Sequence, residues 1–148
     1  MNEQKYIDRT FSKFDHAIGD VYVKYLFREV GTAERVQAYV TDEHLRVPPT
    51  EGLREIKPGE KWGSEYGNIW LLTDITVPAA ADGAILCAYP DAAPSEVLCF
   101  KNGVPTGIIN SKNQFIGGDH SVMFVDKCAK AGDKIELAFE CYAGHTCH

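Results

Sequence analysis

The chain has 148 residues, with 15 Lys+Arg against 21 Asp+Glu and a formal net charge of −6. That length fits one compact domain, and 45% apolar with 24% charged residues is the balance of a globular chain rather than a disordered one. The acidic balance speaks against nucleic acid and against an anionic membrane as partners. Apolar runs of only a few residues, such as Ile69-Trp70-Leu71-Leu72, leave no segment to span a bilayer.

The first residues, Met1 to Tyr6, have neither a basic start nor an apolar stretch, so no secretory signal is visible. The cysteines are Cys87, Cys99, Cys128, Cys141 and Cys147. An odd count without a framework spacing suits reduced thiols, and the expected compartment is the cytoplasm.

From Asn2 to about Val30, Ile7, Phe11, Phe14, Ile18, Val21 and Tyr25 recur at alternating gaps of four and three, the stripe of an amphipathic helix. Gly19-Asp20 interrupts it, so two short helices fit as well as one. Such an arm covers a core edge or a neighbouring domain. A membrane-surface helix would carry Lys/Arg along its polar face, whereas this one mixes Asp8, Arg9, Lys13 and Asp15. Residues 31–64 read as a connector, punctuated by Pro48-Pro49, Gly52, Pro58-Gly59 and Gly63, with one short strand near Val36–Val40.

From Ile69 the period falls to two. Leu71, Thr73, Ile75 and Val77 share one face, Trp70, Leu72, Asp74 and Thr76 the other, and Pro78 ends the strand. Ile85, Cys87 and Tyr89 alternate next. Glu96 to Lys101 leads into Asn102-Gly103, a hairpin signal because both residues tolerate positive φ, and Val104 to Ile109 returns. Ser121 to Cys128 makes another strand. After the turn at Ala131-Gly132-Asp133, Ile135, Leu137, Phe139 and Cys141 point one way and Glu136 and Glu140 the other. Five or six short strands with turns between them, and no alternating helices, predict an antiparallel sandwich or barrel over residues 65–148 behind a helical arm at 1–30. The stop after Gly144-His145-Thr146-Cys147-His148 is expected to be that of a piece cut from a longer protein.

Candidate chemistry is sparse. Cys141, His145, Cys147 and His148 offer zinc-type ligands, but no paired spacing, and Cys141 falls on the apolar face of its strand. No Gly-x-Ser-x-Gly elbow occurs, and pairing of a cysteine with His120 or His145 has no support in the spacing. Gly117-Gly118-Asp119-His120 lacks the lysine of a phosphate loop and reads as a tight turn. The carboxylates Asp74, Asp82, Asp91, Glu96, Asp119, Asp126, Glu136 and Glu140 read as solvated surface, and none is assigned a catalytic role. Trp62, Tyr66 and Tyr89, in or beside loops, are candidates for stacking on a sugar ring, with core packing as the competing role.

The stretch Gly59-Glu60-Lys61-Trp62-Gly63-Ser64, the strand Ile69 to Pro78, the hairpin Glu96 to Ile108 with its Asn102-Gly103-Val104-Pro105-Thr106-Gly107 turn, and the run Gly132 to Cys141 occur in this order. The order resembles the N-terminal β-domain of family 38 glycoside hydrolases, the cytosolic and vacuolar type of α-mannosidase. The resemblance implies a mainly β fold, an antiparallel jelly-roll sandwich similar to galactose-binding domains, preceded by a helical arm. It also implies a partner, the catalytic domain of the same polypeptide, which cleaves terminal α-mannosides with a zinc-type metal held by a His-x-Asp motif.

No His-x-Asp exists here. The residues two places after His16, His44, His120 and His145 are Ile18, Arg46, Val122 and Cys147. No catalytic or metal residue is therefore carried over, no cofactor is expected in this chain, and the chain alone is expected to be inactive. A freestanding carbohydrate-binding module that takes mannose-containing glycans is the alternative.

Overall fold

The computed structural model describes residues 3–16, 27–63, 65–90, 96–110 and 122–144. Besides a short 3-10 helix at Ala79–Ala81, one α-helix is described, α1 (Glu3–His16). Its stripe of Ile7, Phe11 and Phe14 is the one the period predicts, but these side chains lie in solvent rather than on a core edge of this chain. The continuation through Ile18, Val21 and Tyr25 lies outside the described residues. No helix is long and apolar enough to cross a membrane among the described residues.

Eight strands follow among the described residues: β1 (Gln37–Thr41), β2 (Arg54–Glu55), β3 (Asn68–Thr76), β4 (Leu86–Ala88), β5 (Glu96–Lys101), β6 (Val104–Asn110), β7 (Met123–Asp126) and β8 (Lys134–Tyr142). Six of them form one antiparallel sheet in the order β2-β1-β3-β8-β5-β6, and β4 pairs with β7 in a second. The mainly β, antiparallel sandwich expected from the strand pattern is thus observed. Residues 31–64 do more than connect: β1 sits at the strand expected near Val36–Val40 and pairs along its whole length with β3, and β2 extends the sheet.

The turns follow from local chemistry. Asn102 and Gly103 hold φ at 51° and 75°, as a two-residue hairpin requires, and join β5 to β6. β7 ends earlier than its sequence pattern suggests because Asp126 Oδ1 accepts the Cys128 N–H at 3.0 Å, an Asx turn that bends the chain off the ladder. After β3 the Val77 N–H donates to the Asp133 carbonyl and its own carbonyl accepts the Gly132 N–H, which fixes the turn ahead of β8.

Between the sheets lies the main core. Ala38, Ile69, Val97, Cys99, Ile109, Ile135, Leu137, Phe139 and Cys141 face in from the large sheet, and Leu86, Met123 and Val125 from the small one. In β4 the residue turned inward is Leu86, while Ile85 and Tyr89 face water. Lys101 clasps the two sheets: its Nζ donates to the Val125 carbonyl at 2.7 Å and meets Asp126 Oδ2 at 3.1 Å.

The outer face of the large sheet carries a second cluster, Trp70, Leu72, Phe100 and Ala138, with Tyr39, Leu45, Leu53 and Leu98 packed against it. Leu45 and Leu53 come from the β1–β2 connection, which folds over this face. Both faces of β3 are therefore covered, and the run Ile69-Trp70-Leu71-Leu72 is apolar on both sides for that reason.

Candidate functional site

The three aromatic candidates are placed differently. Trp62 is half-buried and packs against the main core. Tyr66 is 56% exposed, with φ at 62°, and its N–H donates to the Gly144 carbonyl just ahead of β3. Tyr89 is 66% exposed and follows β4. Tyr66 thus stands just ahead of β3 in the large sheet and Tyr89 just after β4 in the small one, while Trp62 leans on the main core.

A polar cluster that the sequence reading did not single out lies on the outer face of the large sheet. Trp70 and Glu140 are register partners on β3 and β8, and Asn68 and Tyr142 are partners in the next row of that face. Asn68 is 1% exposed. Its amide oxygen and nitrogen, the Trp70 indole N–H and Glu140 Oε1 are buried and find no hydrogen-bond partner among the described residues. His44 borders the cluster, with Nδ1 3.7 Å from Glu140 Oε1 and its ring 6.2 Å from that of Tyr142.

Burial pushes the Glu140 carboxyl above its ordinary value, against a smaller opposing pull from His44. Glu140 is therefore not the solvated surface acid that its place on an alternating strand suggests. Two donors and two acceptors on this face are buried and unmet, each costing roughly 1–3 kcal/mol in that state. The readable signal was the run from Ile69 to Leu72, apolar on both faces, which announces a covered outer face.

Residues 30–147 match the family described as "Alpha-mannosidase, jelly roll domain". The chain belongs to that family. The match agrees with the resemblance to the N-terminal β-domain of family 38 α-mannosidases. No curated protein and no solved structure matches the chain.

The mannosidase jelly-roll domain offers little for metal or nucleophilic chemistry in its described part. Among the described residues no group of three or more His, Cys, Asp or Glu is placed to hold a metal ion. Burial pushes the thiols of Cys99 and Cys141 up to about 12, so both are protonated hydrophobes in the main core rather than thiolates. His120, His145, Cys147, His148 and the stretch Gly117–His120 lie outside the described residues.

One carboxylate pairing does emerge. Asp74 and Glu136 are register partners on the outer face, beside a shallow depression of about 390 Å³ that Thr76, Asn102 and Lys134 also line. Both acids stand in water next to a lysine, which is a solvated edge and not a dry cleft with a poised acid.

Proposed function

We propose that this jelly-roll domain is the non-catalytic N-terminal domain of an α-mannosidase, and that it packs on and supports the catalytic domain that follows in the same polypeptide. The observation that carries the reading is the family match over residues 30–147. The donor chemistry supports it. The buried cysteines are protonated, the register partners Asp74 and Glu136 are solvated, and the sequence holds no His-x-Asp. Among the described residues no cluster is placed to hold the zinc-type metal of the family, which on this reading belongs to the catalytic domain. The unpaired state of Cys87, Cys99, Cys128 and Cys141 supports a reducing, cytoplasmic setting.

The test is an assay of the purified 148-residue chain on an aryl α-mannoside with and without Zn²⁺, together with titration of the chain against the catalytic domain. Background turnover and a saturable complex are expected. Metal-dependent turnover by the chain alone would overturn the reading. Binding of mannose- or galactose-containing glycans that vanishes in Trp62→Ala or Tyr89→Ala, without association with the catalytic domain, would replace it by a freestanding carbohydrate-binding module.

A further inference from the structure

The cover over the outer face of the large sheet is held lightly. Residues 42–53, between β1 and β2, form a strap with no strand of its own. Among the described residues its only hydrogen bond runs from the Glu43 N–H to Thr41 Oγ1, at 3.0 Å. The strap rests instead on side chains. Leu45 and Leu53 pack against the cluster of Trp70, Leu72, Phe100 and Ala138. Gly52 lies on the Tyr39 ring, so close that a Cβ there would come within 3.1 Å of it. Segments with few backbone hydrogen bonds and few buried contacts are the first to open.

The covered face holds polar atoms that closure leaves unmet. The Asn68 amide, Trp70 Nε1–H and Glu140 Oε1 are buried without a partner, which favours any motion that returns water to them. Glu140 is the one that titrates. Burial pushes its carboxyl up, so the closed form favours the protonated acid. His44, on the strap, is the only cationic group facing it among the described residues, with Nδ1 3.7 Å from Oε1 and the imidazole mostly in solvent. β3 brings Asn68, Trp70 and Leu72 to this face, and β1 brings Tyr39. β8 adds Ala138 and Tyr142, and β5 adds Leu98, with Glu96 one row further on. None of these is a counter-charge for an ionised Glu140, and Glu96 is a like charge. The remaining charged residues of the strap, Asp42, Glu43, Arg46 and Glu51, are exposed.

We propose that residues 42–53 are a proton-linked flap, closed over the outer face while Glu140 is protonated and released when Glu140 ionises, with His44 as its latch. Released, the flap bares Trp70, Leu72 and Phe100 and lets water reach Asn68 and Glu140. An acid that closure keeps protonated stabilises closure below its ordinary value, near 4.5, and that contribution is lost as pH rises through the raised value. Loss of the imidazolium proton acts in the same direction, because a neutral ring no longer offsets the carboxylate.

The test is acrylamide quenching of Trp70 fluorescence from pH 4 to pH 8, in the full chain carrying Trp62→Phe so that one of the two tryptophans remains. Trp70 is fully buried under the closed flap. Its quenching is expected to rise severalfold over that range with unchanged far-UV circular dichroism. In Glu140→Gln it should stay low throughout. Leu45→Ala, which loosens the flap, should raise quenching at both ends of the range, and His44→Ala should raise it at pH 6. A flat, low response with Glu140 intact would overturn the flap, as would a rise that comes only with loss of the circular dichroism signal. An equal rise in Glu140→Gln would overturn Glu140 as the titrating group. An unchanged response in Leu45→Ala would overturn the strap as the cover of Trp70, and one in His44→Ala would overturn the latch.

Discussion

Asn102 and Glu136 are joined twice: the Asn102 N–H donates to the Glu136 carbonyl, and the Glu136 N–H donates to Asn102 Oδ1, each at 2.9 Å. The β5–β6 turn is thereby tied to β8 and not merely closed on itself. Asn102→Ala loses the side-chain acceptor and keeps a Cβ at φ 51° without the amide that makes this left-handed conformation tolerable. A loss of about 2 kcal/mol is expected, from one hydrogen bond and left-handed strain together. Asn102→Gly removes the bond but relieves the strain, so it should cost about half as much. Urea unfolding followed by tryptophan fluorescence checks both, and equal losses in the two variants would contradict the double role.

That turn also marks what could be read in the sequence. Asn102-Gly103 named its hairpin because positive φ is a local property of two residues. The inward face of β8, Ile135 to Cys141, was equally legible from its period of two. The burial of Glu140 was not. Alternation tells which face a residue takes, but the cover over the outer face comes from Leu45 and Leu53, far off in a stretch without a period. Asn68 escaped for the same reason, and so did the two-residue β2, which owes its order to pairing with β1, whereas β1 itself was legible near Val36–Val40. α1 was legible as an amphipathic stripe, but what its stripe faces is a question of partners that periodicity does not answer.

Trp70 and Phe100 meet on the covered outer face with ring centroids 5.2 Å apart at 44°. Phe100 is 2% exposed, so Phe100→Ala should leave a cavity in a small cluster that holds down Leu45 and Leu53. The expected loss is about 3–5 kcal/mol, while Phe100→Leu, which keeps much of the volume, should cost about 1 kcal/mol. Chemical denaturation measures both. A loss under about 1 kcal/mol for the alanine variant would mean that the outer cluster contributes little to stability.

Glu140 predicts an unusual pH dependence. Its folded-state pKa is raised by burial, so the folded form prefers the protonated acid. The favourable contribution is fully present below the unfolded value, near 4.5, and is lost as pH rises through the folded value. At neutral pH the ionised carboxylate is therefore a cost, and Glu140→Gln should be more stable than the unaltered chain. The difference should shrink as pH falls and vanish below about 4.5. Thermal melts of the two proteins from pH 4 to pH 8 test this, and a Glu140→Gln variant less stable at pH 7.5 would show that the ionised form is well solvated or paired.

The cysteines should separate by burial. Cys99 and Cys141 are buried on neighbouring strands β5 and β8, and their thiols sit at about 12, chiefly through desolvation, with mutual repulsion adding to Cys141. At pH 8 essentially none of either is thiolate, the form that attacks a disulfide reagent. Cys128 is exposed, and Cys87 is half-buried with its thiol pushed up by burial. Titration of the native protein with an aromatic disulfide should label Cys128 rapidly and Cys87 slowly. Cys99 and Cys141 should react only as the chain unfolds, at a rate that rises with urea. Peptide mapping of the labelled protein assigns the order, and rapid native labelling of Cys141 would mean that the β3–β8–β5 core opens far more readily than its packing implies.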